Sequence, residues 1–184
     1  QGVGINLMYT HNYSCIPGAH ISFDEILRAA DDVGMLVSFS QPQFNDYDWE
    51  APDAEATNGY AEDAAWYVRR AQNHPSVIMY STSHNATGTS QQQNPDYLDS
   101  RSAPWPHPDD PALRNDNRAR RALRAEAIIR RLDPSRPVYH HSSGNLGGFY
   151  TLNCYLNWVP IQERSDWFEV WATRGRKPLF LVEW

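Results

Sequence analysis

His74-Pro75-Ser76-Val77-Ile78-Met79-Tyr80-Ser81-Thr82-Ser83-His84-Asn85 joins a helix end, a buried strand and a polar strand tip within one short stretch. Val77, Ile78 and Met79 form a continuous apolar run of the kind covered on both faces in a parallel sheet, and Pro75 separates it from the helical pattern upstream. The polar residues from Ser81 to Asn85 then fall where such a strand leaves the core. Parallel sheets bind their ligands at the carboxyl ends of the strands, so His84 and Asn85 are candidate site residues.

The same grammar repeats on either side. Upstream, Ala61, Ala64, Ala65 and Val68 recur at helical spacing, with Arg69 and Arg70 at the carboxyl end. A loop carrying Phe44, Asp46, Tyr47, Asp48, Trp49 and Glu50 precedes that helix and runs to about Asn58, longer than most connections. Before it, Met35 to Phe39 reads as a buried strand with Ser40-Gln41-Pro42 at its tip. Ser22 and Glu25 predict a capping box for the preceding helix, whose stripe of Phe23, Ile26, Leu27 and Ala30 stops at Gly34. The first apolar segment, Gly4 to Met8, ends in Tyr9-Thr10-His11-Asn12.

Downstream, prolines at 95, 104, 106, 108 and 111 predict an irregular insertion over about 86–114. A helix from about Asn115 to Leu132 would bury Ala122, Ala125, Ile128, Ile129 and Leu132, and Asp133-Pro134-Ser135-Arg136-Pro137 ends it. Val138 to His141 reads as a strand, as does Phe149 to Tyr155. The Gly-rich connection between these two is short for a parallel crossover. Ser165 is expected to cap a last helix carrying Phe168 and Trp171 and closed by Gly175, after which Leu179 to Val182 form a buried strand leading into Glu183.

Strands alternating with helices indicate a parallel α/β sheet, either doubly wound or closed as a (β/α)8 TIM barrel, and the barrel fits better. A complete barrel takes about 250 residues. With 184 residues and about six βα units, the expectation is a single partial barrel domain over 1–184, lacking its first and last units. One rim would then collect His11, Asn12, Gln41, His84, Asn85, His140, His141, Asn153, Tyr155, Asn157, Trp158 and Glu183.

A net charge of -6 argues against nucleic-acid and anionic-membrane partners, and no apolar run is long enough for a membrane-spanning helix. Seven Trp and ten Tyr supply flat rings that suit stacking on sugars, with Trp49, Trp105, Tyr155 and Trp158 as candidates. Cys15 and Cys154 have neither metal-ligand nor redox spacing. The chain starts at Gln1, so a missing leader pattern says nothing about compartment. A periplasmic or secreted setting is the expectation.

Several of these segments resemble glycoside hydrolase family 2. His74 to Ser81 is similar to that family's strand-four motif, and Lys177-Pro178-Leu179-Phe180-Leu181-Val182-Glu183-Trp184 to its strand-seven nucleophile motif. Thr10-His11-Asn12, Asp31 to Val37 and Leu132 to Val138 are similar to segments found in the same order, so the likeness spans strands two to seven of a divergent, truncated catalytic domain. The resemblance implies a retaining hydrolase of β-linked oligo- or polysaccharides with Glu183 as nucleophile, no cofactor and no metal, and flanking β-sandwich domains in the full-length chain. It places the strand-four catalytic positions at His84 and Asn85; from the strand-tip rim and the aromatic residues, a carbohydrate substrate is expected to meet His11, Asn12, Gln41, Trp49, His140, Asn153, Tyr155 and Trp158.

Two departures stand out. Family members end the strand-four motif with Asn-Glu, whereas His84 and Asn85 occupy those positions here and a one-residue shift offers Ala86. The strand-two arginine is also missing, with Met8 or Tyr9 nearby. Because a retaining site needs a second carboxyl about 5 Å from the nucleophile, the acid is expected to be displaced, to His84, Asp46, Asp48, Glu50, Asp96 or Asp99. A catalytically degenerate carbohydrate-binding barrel is one alternative. A metal-dependent hydrolase using His11, His84, His140 and His141 is another, without the usual ligand spacing.

Overall fold

The computed structural model describes residues 2–11, 22–82, 84, 85, 87, 117–144 and 146–184. The proline-rich insertion, with Asp96, Asp99 and Trp105, lies outside the described residues, as do Asn12 and Cys15. The chain divides into two compact units, the first made of 1–84 and 124–138, the second of 85–123 and 139–184.

In the first unit the strands β1 (Leu7–Tyr9), β2 (Leu36–Ser40) and β3 (Val77–Ser81) lie side by side in chain order, and β4 (Val138–Tyr139) begins beyond β3. β1 pairs parallel with β2 and β2 parallel with β3, which requires a crossover between each pair. Helices α1 (Phe23–Val33) and α3 (Tyr60–Ala71) supply them. Ser22 caps α1 as its sequence predicts: its hydroxyl accepts from the Glu25 amide at 3.2 Å while the Glu25 carboxylate accepts from the Ser22 amide at 3.2 Å. Gly34 ends the helix at φ 67°, a left-handed conformation that costs a side chain energy and glycine little. The apolar faces of these helices and of α4 (Asn117–Leu132) close on Val37, Phe39, Val77 and Tyr80, with Leu27, Val68 and Ile129 among the buried partners. Burying each such side chain contributes roughly 1.5–3 kcal/mol.

The long acidic, aromatic loop holds two helical pieces, a 3-10 turn at Phe44–Asp46 and α2 (Ala54–Thr57). Arg124 of α4 pins it. The guanidinium donates to both oxygens of Glu55 and, at 2.6 Å, to the Trp49 carbonyl, and it lies 5.5 Å from the Trp49 ring centre. Trp49 is 3% exposed and packs on Tyr60, its Nε1 donating to the Phe44 carbonyl at 2.7 Å. Its ring is thus spent on the core, and the expectation that Trp49 stacks on sugar is corrected.

The second unit contains the parallel pair β5 (Tyr150–Asn153) and β6 (Leu179–Glu183). The short connection into β5 is accommodated by doubling back: Gly144 and Thr151 exchange backbone hydrogen bonds of 2.8 and 3.0 Å as an antiparallel bridge. Leu179 and Leu181 pack with Tyr150, Leu152 and Cys154 against Phe168 and Trp171. Ser165 does not cap the last helix. A 3-10 turn at Asp166–Phe168 intervenes before α5 (Glu169–Arg174), and Ser165 itself has helical backbone angles, which carry its side chain away from the amides a cap would serve. Gly175 closes α5 through close approach: a Cβ there would sit 2.4 Å from the Trp171 ring.

Candidate active site

In the first unit the ends of β1 and β2 are tied by polar side chains. The Thr10 hydroxyl accepts from the Ser40 amide at 2.8 Å, and the Ser40 hydroxyl donates to the Thr10 carbonyl. Gln41 follows, fully buried, with its backbone N–H donating to the Ser81 carbonyl at 2.8 Å. His11 and His84 meet edge to face with ring centres 4.6 Å apart, and Tyr9 stacks 6.3 Å from His84. Partial burial, then the neighbouring His84, lower the basicity of His11 from its ordinary value. His11, Gln41 and His84 therefore occupy strand tips, as the sequence indicates.

The second unit gathers a carboxylate site around Glu183. Strict alternation along β6 would put Glu183 in the row of Leu179 and Leu181, which packs on Tyr150, Leu152 and Cys154. The register prevents this. Leu152 pairs with Leu181, but the next β5 residue, Asn153, pairs with Glu183, so Val182 is an extra residue on β6. Such a bulge re-aims the side chain that follows it and is over-represented beside active sites. The Glu183 carboxylate, a quarter exposed, accepts on Oε2 from the Tyr155 hydroxyl and on Oε1 from the Asn85 amide at 3.4 Å.

Asn85 carries this arrangement at a cost. Its φ of 48° is left-handed without glycine's freedom, as is that of Ser142 at 49°. Strain of this kind, of order 1–3 kcal/mol, persists where surrounding contacts over-determine it, and it clusters at functional sites. Here the contacts are visible. With its amide nitrogen on Glu183, Asn85 presents Oδ1 to Nδ1 of His141 at 3.0 Å, so Nδ1 carries the hydrogen. Nε2 of His141 then lies 3.8 Å from Glu183 Oε1. His141 is 1% exposed, and so is His140, whose carbonyl accepts from the Thr151 hydroxyl at 2.5 Å.

Asn153, the register partner of Glu183, is 2% exposed, and its Oδ1 meets no donor among the described residues. Buried acceptors are seldom left so, and an incoming hydroxyl or water would complete this one. Tyr155 and Trp158 stand with ring centres 6.0 Å apart, and Trp158 is largely exposed. The structure thus assembles Asn85, Asn153, Tyr155 and Glu183, with Trp158 beside Tyr155. His141 as the partner of Asn85 and Glu183 was not foreseen, because a histidine pair after a strand does not show which ring turns inward.

A family profile described as "Glycosyl hydrolases family 2, TIM barrel domain" matches residues 5–184. The chain belongs to this family. Its fold is that of a TIM barrel domain, of which the parallel strands and helices described above are a part. Among solved structures it is similar to β-D-glucuronidase of Dictyoglomus thermophilum (18% identity over 96% of this chain and 29% of that one, TM-score 0.53). It is likewise similar to β-glucuronidase 3 of Bacteroides uniformis (16% identity, 96% and 20%, TM-score 0.57). A third is the family 2 β-galacturonidase of Eisenbergiella tayi (15% identity, 96% and 28%, TM-score 0.53). The chain spans less than a third of the length of these proteins, and at such identities the likeness shows the fold alone. No curated protein matches.

Proposed function

We propose that this chain is the catalytic part of a retaining β-glycosidase in which Glu183 attacks the anomeric carbon and Tyr155 and Asn85 hold its carboxylate. The observation that carries the reading is the bulged end of β6, which releases Glu183 from an apolar row onto hydrogen-bond donors. In the first step the carboxylate forms a bond to the anomeric carbon as the leaving oxygen departs and takes a proton from an acid. In the second, water hydrolyses the glycosyl ester. Asn153 and Trp158 supply a sugar-hydroxyl acceptor and a stacking face, and His11, Asn12, Gln41, His84 and His140 are further candidates for substrate contact.

The acid is displaced, because Asn85 stands at the strand-four position where the family resemblance calls for a glutamate, and an amide does not donate a proton in this way. Asp48 accepts from the Glu50 amide at 2.9 Å through Oδ1 alone. His84, Asp46, Asp48, Glu50, Asp96 and Asp99 are the candidate donors. The same substitution favours a second reading, a barrel that binds carbohydrate without cleaving it.

An activated 2-deoxy-2-fluoro β-glycoside separates the two in the full-length protein. A glycosidase accumulates a covalent adduct on the peptide containing Glu183, read by mass spectrometry, and Glu183→Gln abolishes it. Absence of any adduct across a panel of sugars, with saccharide still bound, would establish the binding barrel instead.

A further inference from the structure

Asn85 and His141 meet from two chain segments of the second unit, and other bonds hold both segments in place. The Ser143 hydroxyl donates to the His141 carbonyl at 3.1 Å, and the Ser143 backbone N–H donates to the Thr151 hydroxyl at 2.9 Å. Ser143 has then given up its one hydroxyl hydrogen, so in its 2.6 Å contact with Thr87 the Thr87 hydroxyl donates. That bond anchors the segment carrying Asn85, two residues upstream. A left-handed residue stands on either side of this seam, Asn85 at φ 48° and Ser142 at φ 49°. We propose that His141 is a positioning residue for Glu183, whose Nδ1–H selects the one orientation of the Asn85 amide that donates to the carboxylate. The assignment rests on the reading of Glu183 as a nucleophile and adds the residue that orients one of its holders.

A primary amide can turn over at little steric cost, because its oxygen and nitrogen occupy nearly the same space. Turned one way, Asn85 gives Glu183 Oε1 a donor at 3.4 Å; turned the other, it sets an oxygen lone pair against a carboxylate. Packing does not choose between the two. A hydrogen-bond direction does: His141 Nδ1 lies 3.0 Å from Asn85 Oδ1, and a nitrogen carrying a hydrogen there is satisfied in the first arrangement alone. The ring is 1% exposed, so it is held for this task and a substrate does not touch it. Its Nε2 stands 3.8 Å from Glu183 Oε1, beyond hydrogen-bond distance, which makes the Asn85 amide the link between ring and carboxylate.

The test follows adduct formation on Glu183 in the full-length protein, using the activated 2-deoxy-2-fluoro β-glycoside that labels it fastest. His141→Gln moves an amide donor out to the place of Nε2, whereas His141→Asn leaves one at the place of Nδ1. His141→Gln should lower the labelling rate constant roughly tenfold to 100-fold, as loss of a donor to a charged acceptor does, with the glycoside concentration for half-saturation little changed. His141→Asn should recover most of the rate. In an Asn85→Gly background, where glycine keeps the left-handed backbone, His141→Gln should have no further effect. Imidazole nitrogen NMR of the parent should show the hydrogen on Nδ1 of His141, and Asn85→Gly should shift that signal. Labelling of His141→Gln at the parent rate, equal losses in the Gln and Asn variants, or losses that add to that of Asn85→Gly overturn the proposal. So does an Nδ1 without hydrogen in the parent, whether or not the variants fold. Absence of any adduct in the parent overturns the glycosidase reading itself, and the positioning role with it, whereas the other failures leave that reading standing.

Discussion

Asp133 and Glu183 are carboxylates in different units, and their surroundings differ in kind. Asp133 follows α4 and is 6% exposed. One oxygen accepts from the Ser135 amide at 2.9 Å and its hydroxyl at 2.5 Å, the other from the Tyr80 hydroxyl and Arg136, both at 2.8 Å. Glu183 is a quarter exposed, with Tyr155 as a close donor and Asn85 as a longer one. A carboxylate with every lone pair engaged is a staple, because nothing is left to react. One that solvent still reaches can be reached by a substrate, while the donors that hold it fix its plane.

The sharpest way to break this comparison is to neutralise Glu183. Glu183→Gln keeps shape and volume and should lower turnover by roughly 10⁵-fold, as loss of a nucleophile does, with little change in the urea midpoint. Residual turnover within about tenfold of wild type would make Glu183 a bystander.

Asp133→Ala should do the reverse: destabilise by about 3 kcal/mol while the folded fraction keeps its activity, because Arg136 and Tyr80 lose a buried acceptor. The same contrast has a pH signature. Burial alone would push the Asp133 carboxyl up, but its bonds to Ser135, Tyr80 and Arg136 outweigh this and hold it at about 2. The hydrogen bonds from Arg124 hold Glu55 at about 2 as well. An unfolded chain takes up these protons near pH 4, the folded one only near pH 2. Both groups therefore stabilise fully above the unfolded values, and the contribution is lost as pH falls through about 4 to 2. Urea midpoints across that window should fall steeply in the wild type and less so in Asp133→Asn.

Tyr155→Phe probes the held edge of Glu183. Removing a donor to a charged acceptor costs about 1.5–3 kcal/mol, so kcat/KM should drop roughly tenfold to 100-fold with stability nearly unchanged. A variant as active as wild type would mean that the contact orients the loop after β5 instead of the carboxylate.

What could be read from the sequence follows from how local each determinant is. The cap at Ser22, the stop at Gly34 and the apolar run at Val77 are decided within a few residues, and all appear where expected. Trp49 could not be assigned that way. An indole with a polar edge suits a sugar or a core equally, and the residue that claims it, Arg124, lies 75 positions away. The bulge at Val182 is a property of the pairing between β5 and β6, so alternation along β6 alone misplaces the Glu183 side chain. His141 stands among the strand-tip residues in the sequence, but its pairing cannot be read there: Asn85, 56 positions distant, is what gives it a role.

The smallest expected effect tests whether satisfaction or burial sets the cost of losing a polar group. Ser22 and Glu25 exchange hydrogen bonds with each other, whereas the Asp133 carboxylate only accepts, and the Ser22 pair sits in an exposed setting. When Ser22→Ala removes the hydroxyl, water can reach the freed Glu25 amide, so the penalty should be the ordinary one for a lost helix cap, about 1 kcal/mol. Glu25→Ala should cost a similar or smaller amount, and the double variant less than the sum, because either change alone dissolves the box. If Ser22→Ala instead cost as much as Asp133→Ala in the same urea assay, the number of hydrogen bonds would govern both sites. The contrast drawn between a buried staple and a partly open carboxylate would then have to rest on chemistry alone.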